Sequence, residues 1–173
     1  MSYCATCDGN FYKNRVVAVV GGGNTALVDA IYLSDIASKV YVIHRRDVFT
    51  GDEKYLNELR NKSNVEFILN SNVIKLNGDD FLKNIEIEDN ENNIINLEVN
   101  GLFIAIGQEP QNEIFADLIK LNKSGYIESS DGVHTGVEGI YVAGDARVKE
   151  LRQLVTAVSD GAIAATVAIN EMI

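Results

Sequence analysis

The sequence has 173 residues, of which 46% are apolar, and its 25 acidic and 15 basic side chains give a formal net charge of −10. This length and apolar content are sufficient for a folded core, whereas the acidic balance argues against nucleic acid or an anionic membrane as a main partner. No segment approaches the roughly 20 apolar residues of a membrane helix, and two cysteines do not make a secreted disulfide framework, so we expect a cytoplasmic protein.

The first part of the chain alternates predicted strands and helices. Short apolar runs predict strands at residues 15–20 (RVVAVV), 39–46 (KVYVIHRR) and 65–69 (VEFIL). Apolar residues at helical spacing predict helices over residues 25–37 and 51–61 between those strands. This alternation, at intervals of roughly 20 residues, predicts an α/β fold with a Rossmann-like, doubly wound parallel sheet.

The middle of the chain has a different pattern. Residues 72–76, 81–89 and 93–99 alternate apolar with polar side chains, which predicts an antiparallel β-meander with one solvated face. The segment GLFIAIG, residues 101–107, is almost wholly apolar and is therefore expected to return to the interior of the sheet.

A third pattern begins after Gly107. In chain order we predict a turn and short helix over residues 108–119, a strand and turn over 125–132, a buried strand over 139–146, and one long helix from Lys149 to Ile173. We place a domain boundary near Gly107 to Pro110, which separates residues 1–107 from residues 108–173.

A glycine-rich turn follows the first predicted strand. In the pattern Gly21-x-Gly23-x-x-Ala26, Gly21 permits the tight turn, Gly23 lets a pyrophosphate approach the backbone, and Ala26 lets the helix pack close to the strand. Free N–H groups at the helix start favour an anion. The motif therefore indicates a dinucleotide site, and the alternative is an ordinary tight turn.

The end of the second predicted strand is basic. Sites for NAD usually place an acidic residue there, but this sequence has His44-Arg45-Arg46 and no acid before Asp47. Arginine forks match a phosphate, so the cluster favours the 2′-phosphate of NADP. The alternatives are a solvated charge run and, for His44, stacking on adenine or simple packing.

The two cysteines of the chain form the motif Cys4-Ala5-Thr6-Cys7. A structural zinc needs four ligands, and the only other soft candidates, His44 and His134, are far apart in sequence, so we expect no metal. A redox dithiol needs only two cysteines, one with a lowered pKa, and Asp8 is placed to carry a proton. Electrons pass between a nicotinamide and a dithiol through a flavin as the usual intermediary.

Six motifs in this order carry a family resemblance: CATCDG, GGGNTA, HRRDVF, GLFIAIG, GIYVAGD and LRQLVTAVSDGAIAA. With them the chain resembles low-molecular-weight, bacterial-type thioredoxin reductases from Ser2 to about Ala168. The nearest alternative is the flavoprotein subunit of alkyl hydroperoxide reductase. The resemblance implies an NADPH domain carrying the dithiol, residues 1–107, and the C-terminal section of an FAD domain, residues 108–173.

The resemblance also implies an activity and a set of site residues. Electrons would pass from NADPH to FAD, to the dithiol and then to the disulfide of thioredoxin or a similar small protein, in a homodimer whose domains rotate. Cys7 resembles the thiol nearest the flavin, Cys4 the interchange thiol and Asp8 the acid of the family. The implied NADP residues are Gly21, Gly22, Gly23, Asn24, Thr25, His44, Arg45, Arg46, Ile106 and Gly107. The implied FAD residues are Gly144, Asp145, Ala146, Arg152, Gln153 and Leu154.

Departures from the family pattern set further expectations. The glycine motif for the FAD phosphates is absent from this sequence, so the chain resembles a C-terminal portion that is expected to hold no FAD tightly and to be inactive alone. Apolar faces of residues 108–173 are then expected to seek another chain. The third phosphate-binding arginine of the family falls at Thr50, which weakens the preference for NADP and leaves another electron donor as an alternative. Leu154 replaces a usual alanine, and Asp29 stands where glutamate is common. The alternatives of other classes are a non-catalytic NADP-binding module and a zinc-stabilised interaction domain.

Overall fold

The computed structural model describes residues 1–172 and contains two compact units, with the break between Gly107 and Gln108. The break falls within the boundary region predicted from the sequence, while the cofactor assigned to each part stays a prediction. The first unit is an α/β fold, and the main regular element of the second is one long helix. Among residues 1–172, no helix combines the length and the apolar composition needed to cross a membrane.

The first unit contains three α-helices, one 3-10 helix and seven strands. In chain order they are α1 (Ala5–Asp8), a 3-10 helix (Gly9–Tyr12), β1 (Val16–Val20), α2 (Asn24–Ser34), β2 (Lys39–Ile43), α3 (Glu53–Arg60), β3 (Val65–Ile68), β4 (Ser71–Gly78), β5 (Leu82–Asp89), β6 (Ile94–Glu98) and β7 (Gly101–Ile104).

The core of this unit is a parallel sheet with the strand order β3-β2-β1-β7. On the central strand β1, the side chains of Val17, Ala18 and Val19 are fully buried. A parallel strand covered on both faces is apolar throughout, which explains why the run lacks alternation. The predicted Rossmann-like sheet is confirmed. The GLFIAIG segment joins it beside β1 and is mostly buried, but it forms the edge strand β7 and not an interior strand of the sheet.

The two faces of the parallel sheet are covered by different elements. On one face, Val17 and Val19 pack in a cluster with Leu27 and Leu33 of α2. On the other, Ala18 packs in a cluster with Ile85 and Ile87 of β5. Strands β4, β5 and β6 form an antiparallel sheet in that order, so the predicted meander is confirmed. It covers one face of the parallel sheet and supplies a wall of the cleft described below.

The second unit has a small core and one long helix. Its short elements are 3-10 helices at Glu113–Phe115 and Gly144–Ala146, and its long helix is α4 (Leu154–Met172). Ile119, Ile127 and Val142 form the buried cluster. Most large side chains along α4 are exposed, including Leu154, Val155, Val158, Ile163 and Ile169.

Several element predictions for this unit are wrong. Residues 139–146 do not form a strand, and residues 125–132 take part only in isolated bridges, because an apolar segment becomes a strand only beside a partner of matching length. The helix predicted within 108–119 is a single 3-10 turn. Helix α4 begins at Leu154 instead of Lys149, whose ammonium group donates to the buried Asp160 at 2.7 Å and so keeps its segment out of the helix. The predicted helix end at Ile173 lies outside the described residues.

Candidate functional site

The glycine turn joins β1 to α2 with little room for any side chain. Gly21 has a φ of +152° and lies against the carbonyl oxygen of Ala105, so a Cβ atom at this position would overlap the backbone. Its N–H donates to the carbonyl of Ile43 at 3.0 Å. Gly23 precedes the first residue of α2 in an extended conformation. The turn therefore brings the start of α2 to the carboxyl edge of the sheet, where open α/β folds bind ligands.

The segment from His44 to Asp52, the basic loop, lies against this turn. The His44 ring is 7% exposed, stacks on Phe49 at a centroid distance of 5.0 Å and lies so close to Gly22 that a Cβ atom there would overlap it. Its Nε2 lies 3.1 Å from the carbonyl oxygen of Val48, an acceptor, so Nε2 carries the proton. His44 is thus packed within the protein and supports both the loop and the turn.

The far end of the basic loop is bonded to the same turn. The carbonyl oxygen of Gly22 accepts hydrogen bonds from the N–H of Thr50 at 2.8 Å, the N–H of Gly51 at 3.0 Å and the hydroxyl of Thr50 at 3.1 Å. The N–H of Asp52 donates to Oδ1 of Asn24 at 2.6 Å. Four hydrogen bonds therefore hold residues 50–52 to residues 22–24.

Two sets of anion-binding groups face the resulting cleft. The side chains of Arg45 and Arg46 are exposed, and neither forms an ion pair within residues 1–172. The backbone N–H groups of Gly22 and Gly23 likewise have no acceptor among the described residues. Free backbone donors at a helix start and unpaired guanidinium groups both suit phosphate. The cleft, about 770 Å³ in volume, therefore fits a nucleotide with phosphates in two places.

Nine of the ten residues predicted to bind NADP line this cleft: Gly21, Gly22, Gly23, Thr25, His44, Arg45, Arg46, Ile106 and Gly107. The tenth, Asn24, is not part of the lining, and its side-chain oxygen is used by Asp52. The sequence did not indicate the opposite wall, which contains Met1 and residues of β4 including Ile74 and Leu76. That wall depends on how the meander packs on the sheet, for which there is no local motif.

Cys4 and Cys7 form a disulfide, with their sulfur atoms 2.02 Å apart, at the start of the same unit. Ser2 attaches this segment to the sheet, because its N–H donates to Leu102 at 2.8 Å and its carbonyl accepts from Ile104 at 2.9 Å. The disulfide therefore begins two residues after a segment that is bonded to β7, the strand whose residues also line the cleft.

One backbone hydrogen bond is made to a sulfur atom of the disulfide. The N–H of Cys7 donates to Sγ of Cys4 at 3.2 Å, and a donor to sulfur stabilises its charged form. Cys7 is exposed, whereas Cys4 and Asp8 are half-buried. The N–H of Asp8 donates to the carbonyl of Cys4 at 3.1 Å, which fixes the aspartate next to the redox pair.

The histidines considered as zinc ligands are used elsewhere. His44 is bonded within the basic loop. In the second unit, the ring of His134 pairs with Asp131 and, at 2.7 Å, with Glu171. No group of three or more His, Cys, Asp or Glu side chains within residues 1–172 is arranged to hold a metal ion.

In the second unit, the predicted FAD residues Gly144, Asp145 and Ala146 form a 3-10 turn with Asp145 exposed. The N–H of Gly144 donates at 3.0 Å to Asp160, which is 6% exposed. Hydrogen bonds from Arg147 and Lys149 hold the pKa of Asp160 far below its ordinary value of 3.8. A buried, charged carboxylate on α4 therefore fixes the backbone of this turn.

Of the other three predicted FAD residues, Leu154 is the first residue of α4, and Arg152 and Gln153 directly precede it. Arg152 stacks on the ring of Tyr126 at 3.9 Å, and its buried Nε has no acceptor in the part of the chain that the structure describes. The backbone of Gln153 is bonded to Thr156, and Leu154 is 83% exposed. An unpaired buried donor and an exposed apolar side chain fit one wall of a site for a large aromatic cofactor.

Comparisons with known proteins bear on both units. The family model described as pyridine nucleotide-disulphide oxidoreductase matches residues 1–161. The chain is 42% identical to a thioredoxin reductase of Mycoplasma genitalium, over 95% of this chain and 53% of that protein. It is also 42% identical to a thioredoxin reductase of Escherichia coli O157:H7, over 95% of this chain and 54% of that protein. The crystal structure of thioredoxin reductase from Streptococcus pyogenes aligns with a TM-score of 0.91 and 37% identity, over 99% of this chain and 56% of that one. The chain thus spans about half the length of the curated relatives it matches.

Proposed function

The chain belongs to the pyridine nucleotide-disulphide oxidoreductase family, and on this premise we propose that it is the NADPH-binding, disulfide-bearing portion of a thioredoxin-disulfide reductase. One observation carries the proposal. A single compact unit holds both the Cys4–Cys7 disulfide and a nucleotide-sized cleft with an unpaired arginine pair. Such a unit contains both a binding site for a two-electron donor and an acceptor of two electrons.

The proposed cofactors are NADPH and FAD. NADPH would be held by the glycine turn at its pyrophosphate and by Arg45 and Arg46 at its 2′-phosphate. FAD would be contacted by the Gly144–Ala146 turn and by residues 152–154, which provide one wall of its site. When bound, these cofactors supply the two electrons that, with two protons, convert the Cys4–Cys7 disulfide to a dithiol.

The reduced pair would act on its partner by thiol–disulfide exchange. The Cys4 thiolate attacks one sulfur of the partner disulfide, forms an intermolecular disulfide and releases the second partner sulfur as a thiolate. The Cys7 thiolate then attacks Sγ of Cys4, which restores the Cys4–Cys7 disulfide and releases the first partner sulfur. The hydrogen bond from the Cys7 N–H to Sγ of Cys4 supports the role of Cys4, and the proximity of Asp8 in sequence supports proton transfer by its carboxylate.

The proposed partner is thioredoxin or a similar small disulfide protein, and the proposed setting is the cytoplasm, where a Cys-x-x-Cys pair cycles between its two states. The exposed apolar side chains of α4 support association with more polypeptide, including the homodimer expected from the family resemblance.

The exchange step can be tested on the chain itself without either cofactor. The chain is reduced with dithiothreitol, desalted and mixed with oxidised thioredoxin, and the free thiols on each protein are counted. We expect transfer of about one disulfide per chain. With Cys7→Ser we expect a trapped intermolecular disulfide through Cys4, whereas Cys4→Ser should give no such trap.

Two outcomes of this experiment would contradict the proposal. A reduced chain that leaves oxidised thioredoxin unchanged is not a thioredoxin reductase. If the same chain instead reduces the disulfide of a peroxiredoxin-type protein, the function is that of the flavoprotein subunit of alkyl hydroperoxide reductase. A trap that forms through Cys7 and not through Cys4 would reverse the roles of the two cysteines.

A further inference from the structure

Thr50 lies where the basic loop meets the glycine turn. Its hydroxyl and N–H both donate to the carbonyl oxygen of Gly22, and the hydroxyl oxygen is 3.9 Å from where a Cβ atom on Gly23 would stand. Thr50 lines the cleft, and its hydroxyl hydrogen is used by the protein backbone. The hydroxyl is therefore not a free donor for a ligand phosphate.

This contact closes the basic loop between two fixed points. At one end, His44 is buried against Gly22 and stacked on Phe49. At the other end, Thr50 is bonded to the same glycine residue, 28 positions earlier in the sequence. The exposed Arg45 and Arg46 follow directly after the first fixed point, so their position relative to the glycine turn depends on how firmly the loop is held.

We infer that Thr50 is a positioning residue for nucleotide selectivity, whose hydroxyl acts through the arginine pair and not as a hydrogen-bond donor to the nucleotide. This inference rests on the proposed function, because it assumes that the arginines receive the 2′-phosphate of NADP. The hydroxyl of Thr50 holds the loop at a fixed distance from the turn that receives the pyrophosphate. A ligand with phosphates in both places then meets two prearranged sites and loses less freedom on binding.

Removal of the hydroxyl should therefore weaken the binding of NADP⁺ more than that of NAD⁺, since only NADP⁺ has phosphates for both the glycine turn and the arginine pair. The isosteric change Thr50→Val keeps the two backbone hydrogen bonds to Gly22 and removes the third. The expected loss of NADP⁺ affinity is about three- to tenfold, the range for one neutral hydrogen bond. NAD⁺ affinity should change by less than about twofold. Thr50→Ser keeps the hydroxyl, so this variant should bind NADP⁺ as tightly as the parent chain does.

The test is isothermal titration calorimetry of the chain with NADP⁺ and with NAD⁺, for the parent, Thr50→Val and Thr50→Ser. A double-mutant cycle adds the Arg45→Ala, Arg46→Ala background, in which Thr50→Val should have no further effect on NADP⁺ if it acts through the arginines. The cycle remains informative if Thr50→Val lowers the melting temperature. A general loss of structure would weaken the binding of both NADP⁺ and NAD⁺, with and without the two arginines.

The outcomes separate this inference from the proposed function. An equal loss for NADP⁺ and NAD⁺ in Thr50→Val would overturn the inference, because the hydroxyl would then act at the shared pyrophosphate. A parent-like preference for NADP⁺ in Thr50→Val would overturn it as well, while leaving the proposed cofactor intact. A parent chain that binds NADP⁺ no more tightly than NAD⁺ would contradict both.

Discussion

Replacing Asp29 by asparagine should stabilise the first unit at neutral pH. Asp29 lies half-buried on α2 without a hydrogen-bond or ion-pair partner within residues 1–172, and burial raises the pKa of its carboxyl from 3.8 to about 6. Because the folded-state pKa is raised, the folded chain keeps this proton at pH values where the unfolded chain has lost it. Stability therefore falls as the pH rises from about 4 to 6, and the full cost remains above pH 6.

The size of the effect follows from the difference between the two pKa values. At about 1.4 kcal/mol for each pKa unit, the rise from 3.8 to about 6 corresponds to about 3 kcal/mol before any allowance for solvent. Asp29 is only about half-buried, so solvent screens part of this cost, and we expect about 1.5 kcal/mol at pH 7.5. Asparagine has the same shape and no charge, so Asp29→Asn should recover most of that free energy at pH 7.5 and almost none at pH 4.

Urea unfolding followed by circular dichroism at both pH values measures this difference. Asp35→Asn, just beyond the end of the same helix, is the matched control, because its carboxylate is exposed and pairs with Lys62 at 2.6 Å. It should give no stabilisation at either pH. An equal gain for Asp29→Asn at pH 4 and pH 7.5, or a loss at pH 7.5, would show that burial of the charge is not the cause.

Three further predictions concern the turn, the basic loop and the second unit. Gly22→Ala should lower the melting temperature by about 5 °C or more, because its Cβ atom would overlap the His44 ring. Gly23→Ala should leave the melting temperature unchanged, because its Cβ atom would meet only the Thr50 hydroxyl oxygen at 3.9 Å, and should weaken NADP⁺ binding in calorimetry. Arg45→Ala should lower the affinity for NADP⁺ by about tenfold and the affinity for NAD⁺ by less than twofold. Equal losses of affinity for the two nucleotides would contradict the 2′-phosphate assignment. Asp160→Asn should lower the melting temperature by about 5 °C at pH 7. The difference in melting temperature between the variant and the parent should shrink below pH 3.8, because Asp160, whose pKa is lowered in the fold, stabilises the fold only while its carboxylate is charged.

The parallel sheet was predictable from the sequence because its signals are local. The run from Val17 to Val19 is apolar at every position, and only a strand covered on both faces requires this. The segment 139–146 has a similar run of apolar residues, yet it forms one isolated bridge, between His134 and Tyr141. Apolar content indicates that a segment is buried, but the formation of a strand also depends on a partner that the sequence pattern does not identify.

In the candidate site, too, the local motifs were predictable from the sequence and the long-range contacts were not. The glycine turn, the arginine pair and the cysteine pair are short motifs whose spacing carries their chemistry. The contribution of Thr50 was not predictable, because it depends on a hydrogen bond across 28 residues, and neither was the β4 wall, which depends on how two sheets pack. The motifs therefore indicate the candidate ligand-binding groups, most of which line one cleft, whereas long-range contacts determine how those groups are held.

The disulfide and the cleft share one rigid support. Ser2 pairs with Leu102 and Ile104 of β7, both of which line the cleft, as does Met1, and Cys4 follows only two residues after Ser2. The backbone that holds the redox pair is thus bonded to the backbone that forms the cleft wall. Groups fixed to the same sheet cannot move past one another without breaking its hydrogen bonds. In the proposed reductase, presenting first the nucleotide and then the disulfide to a flavin would therefore require the whole first unit to move as one body.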